Sequence, residues 1–146
     1  MRRLLLSLLV CFGLAGAITS RLQAQQASGS ILGRWHGHSI CIKADWNASC
    51  NDEVVVYRFV PSAAGGKQVT MRGFKIVNGV EDWMGDIELA PDSKANQWSG
   101  EFSNASVHIR FTFIMTGDSL RGTLSEVPGG RVHRNMTAVR DSAAAP

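Results

Sequence analysis

The sequence predicts an all-β fold, an antiparallel up-and-down barrel of about eight strands, with a β-sandwich as the alternative. Three observations predict it. Helical periodicity of useful length is missing, and short β-rich runs recur instead, separated by turn clusters every 8 to 12 residues or so. The clusters SAAGGK, VNGVED, APDSKAN, SNAS, TGDS and EVPGG are hairpin-sized and rich in Gly, Asn, Asp and Pro, so each strand should pair with the next. Eight strands in such a meander can curl and close, which leaves no free edge.

Taken from the N-terminus, MRRLLLSLLVCFGLAGAITSRLQAQQ has the three parts of a secretory signal. Arg2 and Arg3 form a basic start, Leu4 to Leu14 an apolar run, and small and polar residues lead to Leu22-Gln23-Ala24, where cleavage is expected. A cut after Ala17 is the second choice. The apolar run is short of the roughly 20 residues that span a bilayer, and Cys11 lacks the small preceding residue of a lipoprotein cysteine. Residues 1–24 are therefore read as a signal peptide, 31–141 as the barrel domain and 142–146 as a disordered tail. The expected location is periplasmic or secreted, with no membrane span after signal cleavage.

The expected strands are Gly33–Ile42, Glu53–Val60, Gln68–Lys75, Trp83–Leu89, Gln97–Ser103, Val107–Met115, Ser119–Ser125 and Arg131–Val139. Alternation assigns their faces. In VHIRFTFIM, Val107, Ile109, Phe111, Phe113 and Met115 share one face, with Ile114 the apolar exception on the other. In EVVVYRFV both faces are largely apolar, so this strand should be covered twice, by a core and by a neighbouring element, partner or ligand. Trp98, Gly100 and Phe102 share a face.

The whole chain has 15 Lys+Arg and 12 Asp+Glu, but Arg2, Arg3 and Arg21 leave with the signal, and the mature chain is close to neutral. Its basic character belongs mostly to the leader. Nucleic-acid binding, which needs a concentrated basic patch, is not expected. Export also settles the cysteines. Cys41 and Cys50 remain as a pair in an oxidising compartment and should form a disulfide, worth about 2.5–3 kcal/mol on the chain-entropy model.

Chemistry-bearing patterns are few. GRWHGHSICIKADWNASC gathers two histidines and two cysteines, but the cysteines are not at zinc-ligand spacing. On an unbroken strand His36 and His38 would face away from Trp35 and Cys41, so no metal is expected. There is no G-x-S-x-G nucleophile elbow, no free mature cysteine and no phosphate-cradling glycine loop. Glu53, opening the most apolar strand, is expected to partner a nearby arginine or backbone amide. Catalytic residues and cofactors are not expected. Asn47, Asn104 and Asn135 fit the N-glycosylation pattern, a cheap match.

Gly33-Arg34-Trp35 opening the first strand, before a meander ending in the basic strand RVHRNMTAVR, resembles the lipocalin or calycin pattern. The resemblance implies that Trp35 plugs the closed end of a barrel beneath an arginine, Arg134 or Arg140. The longer stretch GRWHGHSICIKADWNASCNDEVVVY is similar to a family of small secreted bacterial proteins. That likeness implies location and fold, and no activity.

The expected function is therefore binding of a small apolar or amphipathic ligand, with Trp35, Val55, Tyr57, Phe59, Ile109, Phe111 and Phe113 as interior positions. The alternative is a protein-binding module, such as a periplasmic hydrolase inhibitor, contacting its partner through His36, His38, Trp46 and Trp83. A cavity of about 300 Å3 or more favours the first. A filled barrel with exposed tryptophans favours the second.

Overall fold

The computed structural model describes residues 29–42 and 50–142. The expected signal peptide, the 43–49 loop with Trp46 and Asn47, and the end of the tail (143–146) lie outside the described residues. The chain divides into two units, Met1–Ser30 and Ile31–Pro146, and the fold below is that of the second.

Eight antiparallel strands, each hydrogen-bonded to the next, close into a barrel when β8 pairs back onto β1. They are β1 (Gly33–Cys41), β2 (Glu53–Pro61), β3 (Val69–Val77), β4 (Val80–Pro91), β5 (Gln97–Ser103), β6 (His108–Thr116), β7 (Ser119–Glu126) and β8 (Val132–Arg140). The barrel, not the sandwich, is the fold. The β3 and β4 strands run further toward each other than expected. Asn78 and Gly79 both take positive φ (52° and 80°) and form a two-residue hairpin turn, so Val77 and Val80 still pair.

Alternation sends Trp35, Val55, Tyr57, Phe59, Met71, Phe113, Met115, Leu120, Leu124 and Met136 into one buried cluster. The barrel is filled at the end where β1 begins and β8 finishes. There Trp35 is fully buried and its Nε1 donates to the Ile31 carbonyl at 2.9 Å. Arg140 lies opposite Trp35 in the β1–β8 register, with its guanidinium carbon 4.1 Å from the indole ring centroid. The same guanidinium donates to the Leu32 carbonyl (2.7 Å) and to Asp118 (3.0 Å). Tyr57 and Phe59 meet Phe113 edge-on, each at 5.5 Å. This end is shut.

At the other end, Cys41 and Cys50 form the disulfide that ties the end of β1 to the approach of β2. The both-sided character of β2 also has its explanation. Val56, on the outer face, is only 2% exposed. Glu81, from the start of β4, holds Arg34 of β1 (2.8 Å) and Arg58 of β2 (2.6 Å). Phe74, paired beside Val56, carries the Arg58 guanidinium 4.9 Å above its ring.

Candidate functional site

With one end shut by Trp35 and Arg140, the inward residues at the other level of the barrel do not meet across its axis. They line a cavity of about 520 Å3. Its walls are apolar: Met71 of β3, Ile109 and Phe111 of β6, Leu124 of β7 and Met136 of β8, with Ile87 of β4 and Phe102 of β5. Two local features open it. The β4–β5 ladder has only two residue pairs, Ala90 with Ser99 and Pro91 with Trp98, so the strands part toward the cavity end. A β-bulge where Gly73 and Phe74 pair with Gly85 and Trp83 leaves Met84 as the extra residue, and Met84 joins the lining.

One side of the cavity is polar. Arg134 of β8 reaches in, 12% exposed at its side chain, and is held from several directions. Its Nε donates to Ser39 Oγ (2.7 Å), and its Nη2 to the Asn51 carbonyl (2.7 Å), to Glu53 Oε2 (2.9 Å) and to the Ser39 carbonyl (3.1 Å). The expectation for Glu53 therefore holds: its partner is Arg134. Tyr57 hydrogen-bonds Ser39 and points its phenol toward this cluster. Burial pushes that phenol well above the usual tyrosine range; the Ser39 hydrogen bond and the Arg134 charge pull it down by less, and Glu53 pushes it up.

Tyr57 is the chain's one tyrosine, which makes the shift directly observable. In an alkaline titration followed by phenolate absorbance, the folded protein should show no transition near pH ~10, where a free tyrosine ionises. Unfolded protein should show it there. Because the folded value is raised, the associated stability is complete below the unfolded value and is lost as pH rises through the folded one. A phenolate transition at the ordinary position in folded protein would contradict a buried phenol.

Of the seven interior positions expected from sequence, Tyr57, Ile109 and Phe111 line this cavity. Trp35, Val55, Phe59 and Phe113 lie in the packed core, at 0–1% exposure. Sequence reasoning missed Met71, Met84, Met136 and the Ser39–Arg134 pair. A signal for the pair existed: once Arg140 is taken as the lid on Trp35, the other inward arginine of β8 must stand nearer the open end.

Of the residues expected to meet a partner, the described ones, His36, His38 and Trp83, lie on the outer face of the barrel. His36 and Trp83 belong to one row across the outer face, His36–Val56–Phe74–Trp83, because each is paired with the next. Trp83 is 62% exposed, with its Nε1 donating to Asp86 (2.9 Å). His36 Nδ1 is held by Asp141, which also pairs with Arg34. His38 is exposed on the same strand. Among the described residues no three His, Cys, Asp or Glu side chains converge as metal ligands. His108 instead pairs with Glu101 (2.8 Å), and His133 is buried 3.6 Å from Glu126.

Neither a protein-family model nor a curated protein sequence matches the chain. The lipocalin likeness rests on the eight-strand barrel and on the stack of Arg140 over Trp35.

Proposed function

We propose that this chain is an exported, non-catalytic binding protein, one of the small secreted bacterial barrels, that takes a small apolar or amphipathic molecule into the open half of its barrel. The observation that carries the reading is the 520 Å3 cavity, apolar around most of its wall and polar at one pole. Cavities of that size and character are the usual sites for small organic ligands. Three methionines in the wall supply flexible, polarisable contacts that adapt to different ligand shapes. The disulfide suits an oxidising compartment outside the cytoplasm. The reading needs no cofactor, metal or nucleic acid.

Titration with the uncharged fluorophore N-phenylnaphthylamine tests it. Fluorescence should rise and saturate at one probe per chain. Ile109→Trp, which pushes an indole into the cavity, should weaken binding by at least about tenfold, equivalent to roughly 1.4 kcal/mol. Ile114→Ala, on the outer face of the same strand, should leave affinity unchanged. Absence of saturable binding, or equal binding in Ile109→Trp, would overturn the proposal.

A second reading, a protein-binding module such as a hydrolase inhibitor, is favoured by one observation. Trp83 is a large exposed aromatic at the end of the outer row that also contains His36. Native mass spectrometry of the protein taken from its host separates the two readings. A small-molecule adduct supports the cavity. A protein adduct that Trp83→Ala abolishes supports the outer row.

A further inference from the structure

We infer that the cavity selects amphiphiles with an uncharged head group, such as an alcohol, over fatty carboxylates and alkylammonium ions. The inference rests on the ligand-binding reading of the barrel and names the class of ligand. Among the described residues, Arg134 is the one basic side chain in the cavity lining. A lone arginine in an apolar pocket ordinarily points to a carboxylate ligand. Here its position is already filled. Nε and Nη2 are spent on Ser39, Asn51 and Glu53, and Nη1 lies 3.6 Å from the Cys50 sulfur.

A ligand carboxylate would have to displace Glu53 from Arg134 or sit beside it. Displacement strands a half-buried carboxylate, and cohabitation places two like charges against an apolar wall. Asp86, the other acidic residue of the lining, has its carboxylate taken by Trp83 Nε1 (2.9 Å) and faced by Arg72 (3.7 Å), which leaves the charge at the polar pole to Glu53 and Arg134. An alkylammonium meets the opposite difficulty. It would have to share Glu53 with the guanidinium already bound there, and it would leave its hydration shell to do so. An uncharged hydroxyl meets neither. It can donate to Glu53, which keeps acceptor capacity beside Arg134, and can exchange hydrogen bonds with the hydroxyls of Tyr57 and Ser39. The polar pole is thus already neutralised from within, and it offers hydrogen bonds without net charge.

The test is displacement of N-phenylnaphthylamine from the mature protein at neutral pH by decanol, kept below its solubility limit, and by decanoate and decylammonium, kept below their micelle concentrations. Decanol should displace the probe at a concentration at least tenfold lower than either ion. In Glu53→Gln, which removes the internal counter-charge and keeps the side chain's shape, decanoate should gain about tenfold while decanol changes little. Decanoate or decylammonium matching decanol on the unaltered protein would overturn the head-group inference and leave the cavity reading standing. A probe that fails to bind, or that none of the three displaces, would overturn the cavity reading itself. Should Glu53→Gln fail to fold, the decanol-to-ion ratio on the unaltered protein decides alone.

Discussion

Trp35→Ala is expected to lower the stability of the barrel by about 3–5 kcal/mol, read as a shift in the urea or thermal unfolding midpoint. Three losses combine. The indole is fully buried at the closed end, so its removal leaves a cavity in the core cluster that neighbouring strands cannot collapse into without breaking register. The Ile31 carbonyl loses its indole donor in a buried setting. Arg140 loses the ring it lies on, although its bonds to Leu32 and Asp118 keep it in place. Arg140→Met separates this last contribution. It keeps an apolar stem over the indole and should cost about 1–2 kcal/mol, mostly from the lost cation–π contact and the lost donors. A Trp35→Ala protein within about 1 kcal/mol of the parent would mean that the closed end is not what holds the barrel.

The strands were legible in the sequence because their determinants are local. Turn residues at regular intervals and two-residue alternation specify where a strand runs and which side faces in, and Ile114 shows how far that reaches. It breaks the apolar run of β6 onto the wrong face and is indeed exposed, while Phe113 and Met115 on either side are buried. The Asn78–Gly79 turn follows the same logic, as the Asn-Gly dipeptide inside VNGVED.

The height of a residue along the barrel axis is a different kind of quantity. It depends on strand tilt and on the stagger between neighbours, which the pairing register sets over the whole sheet. Phe113 and Phe111 are both inward and two residues apart, yet one belongs to the packed plug and the other to the cavity wall. The two arginines of β8 show the same limit. Arg134 and Arg140 have the same parity and similar surroundings in sequence, and only the register places Arg140 opposite Trp35 and Arg134 opposite Cys41. The bulge that turns Met84 into the lining is likewise a property of two strands together, invisible in either alone. Function inherits this division. Whether the barrel is filled or hollow was not written in residue types, since aromatic and aliphatic side chains serve both.

Gly37→Ala is expected to be more damaging than its single added methyl suggests, at about 3 kcal/mol or more, and to act by opening the seam that closes the barrel. Gly37 faces inward between Val55 of β2 and Ala138 of β8. A Cβ there would lie 1.9 Å from the Thr137 carbonyl oxygen and 2.6 Å from the Ala138 Cα. Both are backbone atoms, so no rotamer change relieves the clash and β8 must move away from β1. That seam joins the first strand to the last, and it also carries the Trp35–Arg140 pair at one end and Cys41–Arg134 at the other. Displacing it disturbs the plug and the cavity's polar pole together. Gly73→Ala is the matched comparison. Gly73 also sits within a strand with its face inward, but a Cβ there meets nothing nearer than Met84 Cε at 3.6 Å. That variant should unfold within about 1 kcal/mol of the parent. Equal loss in the two variants would show that the cost comes from strand propensity and not from the close approach of β8. A stable Gly37→Ala protein would show that the β1–β8 seam is looser than the register describes. Amide hydrogen exchange checks the mechanism: protection in Gly37→Ala should fall first along β1 and β8, before β6 and β7 are affected.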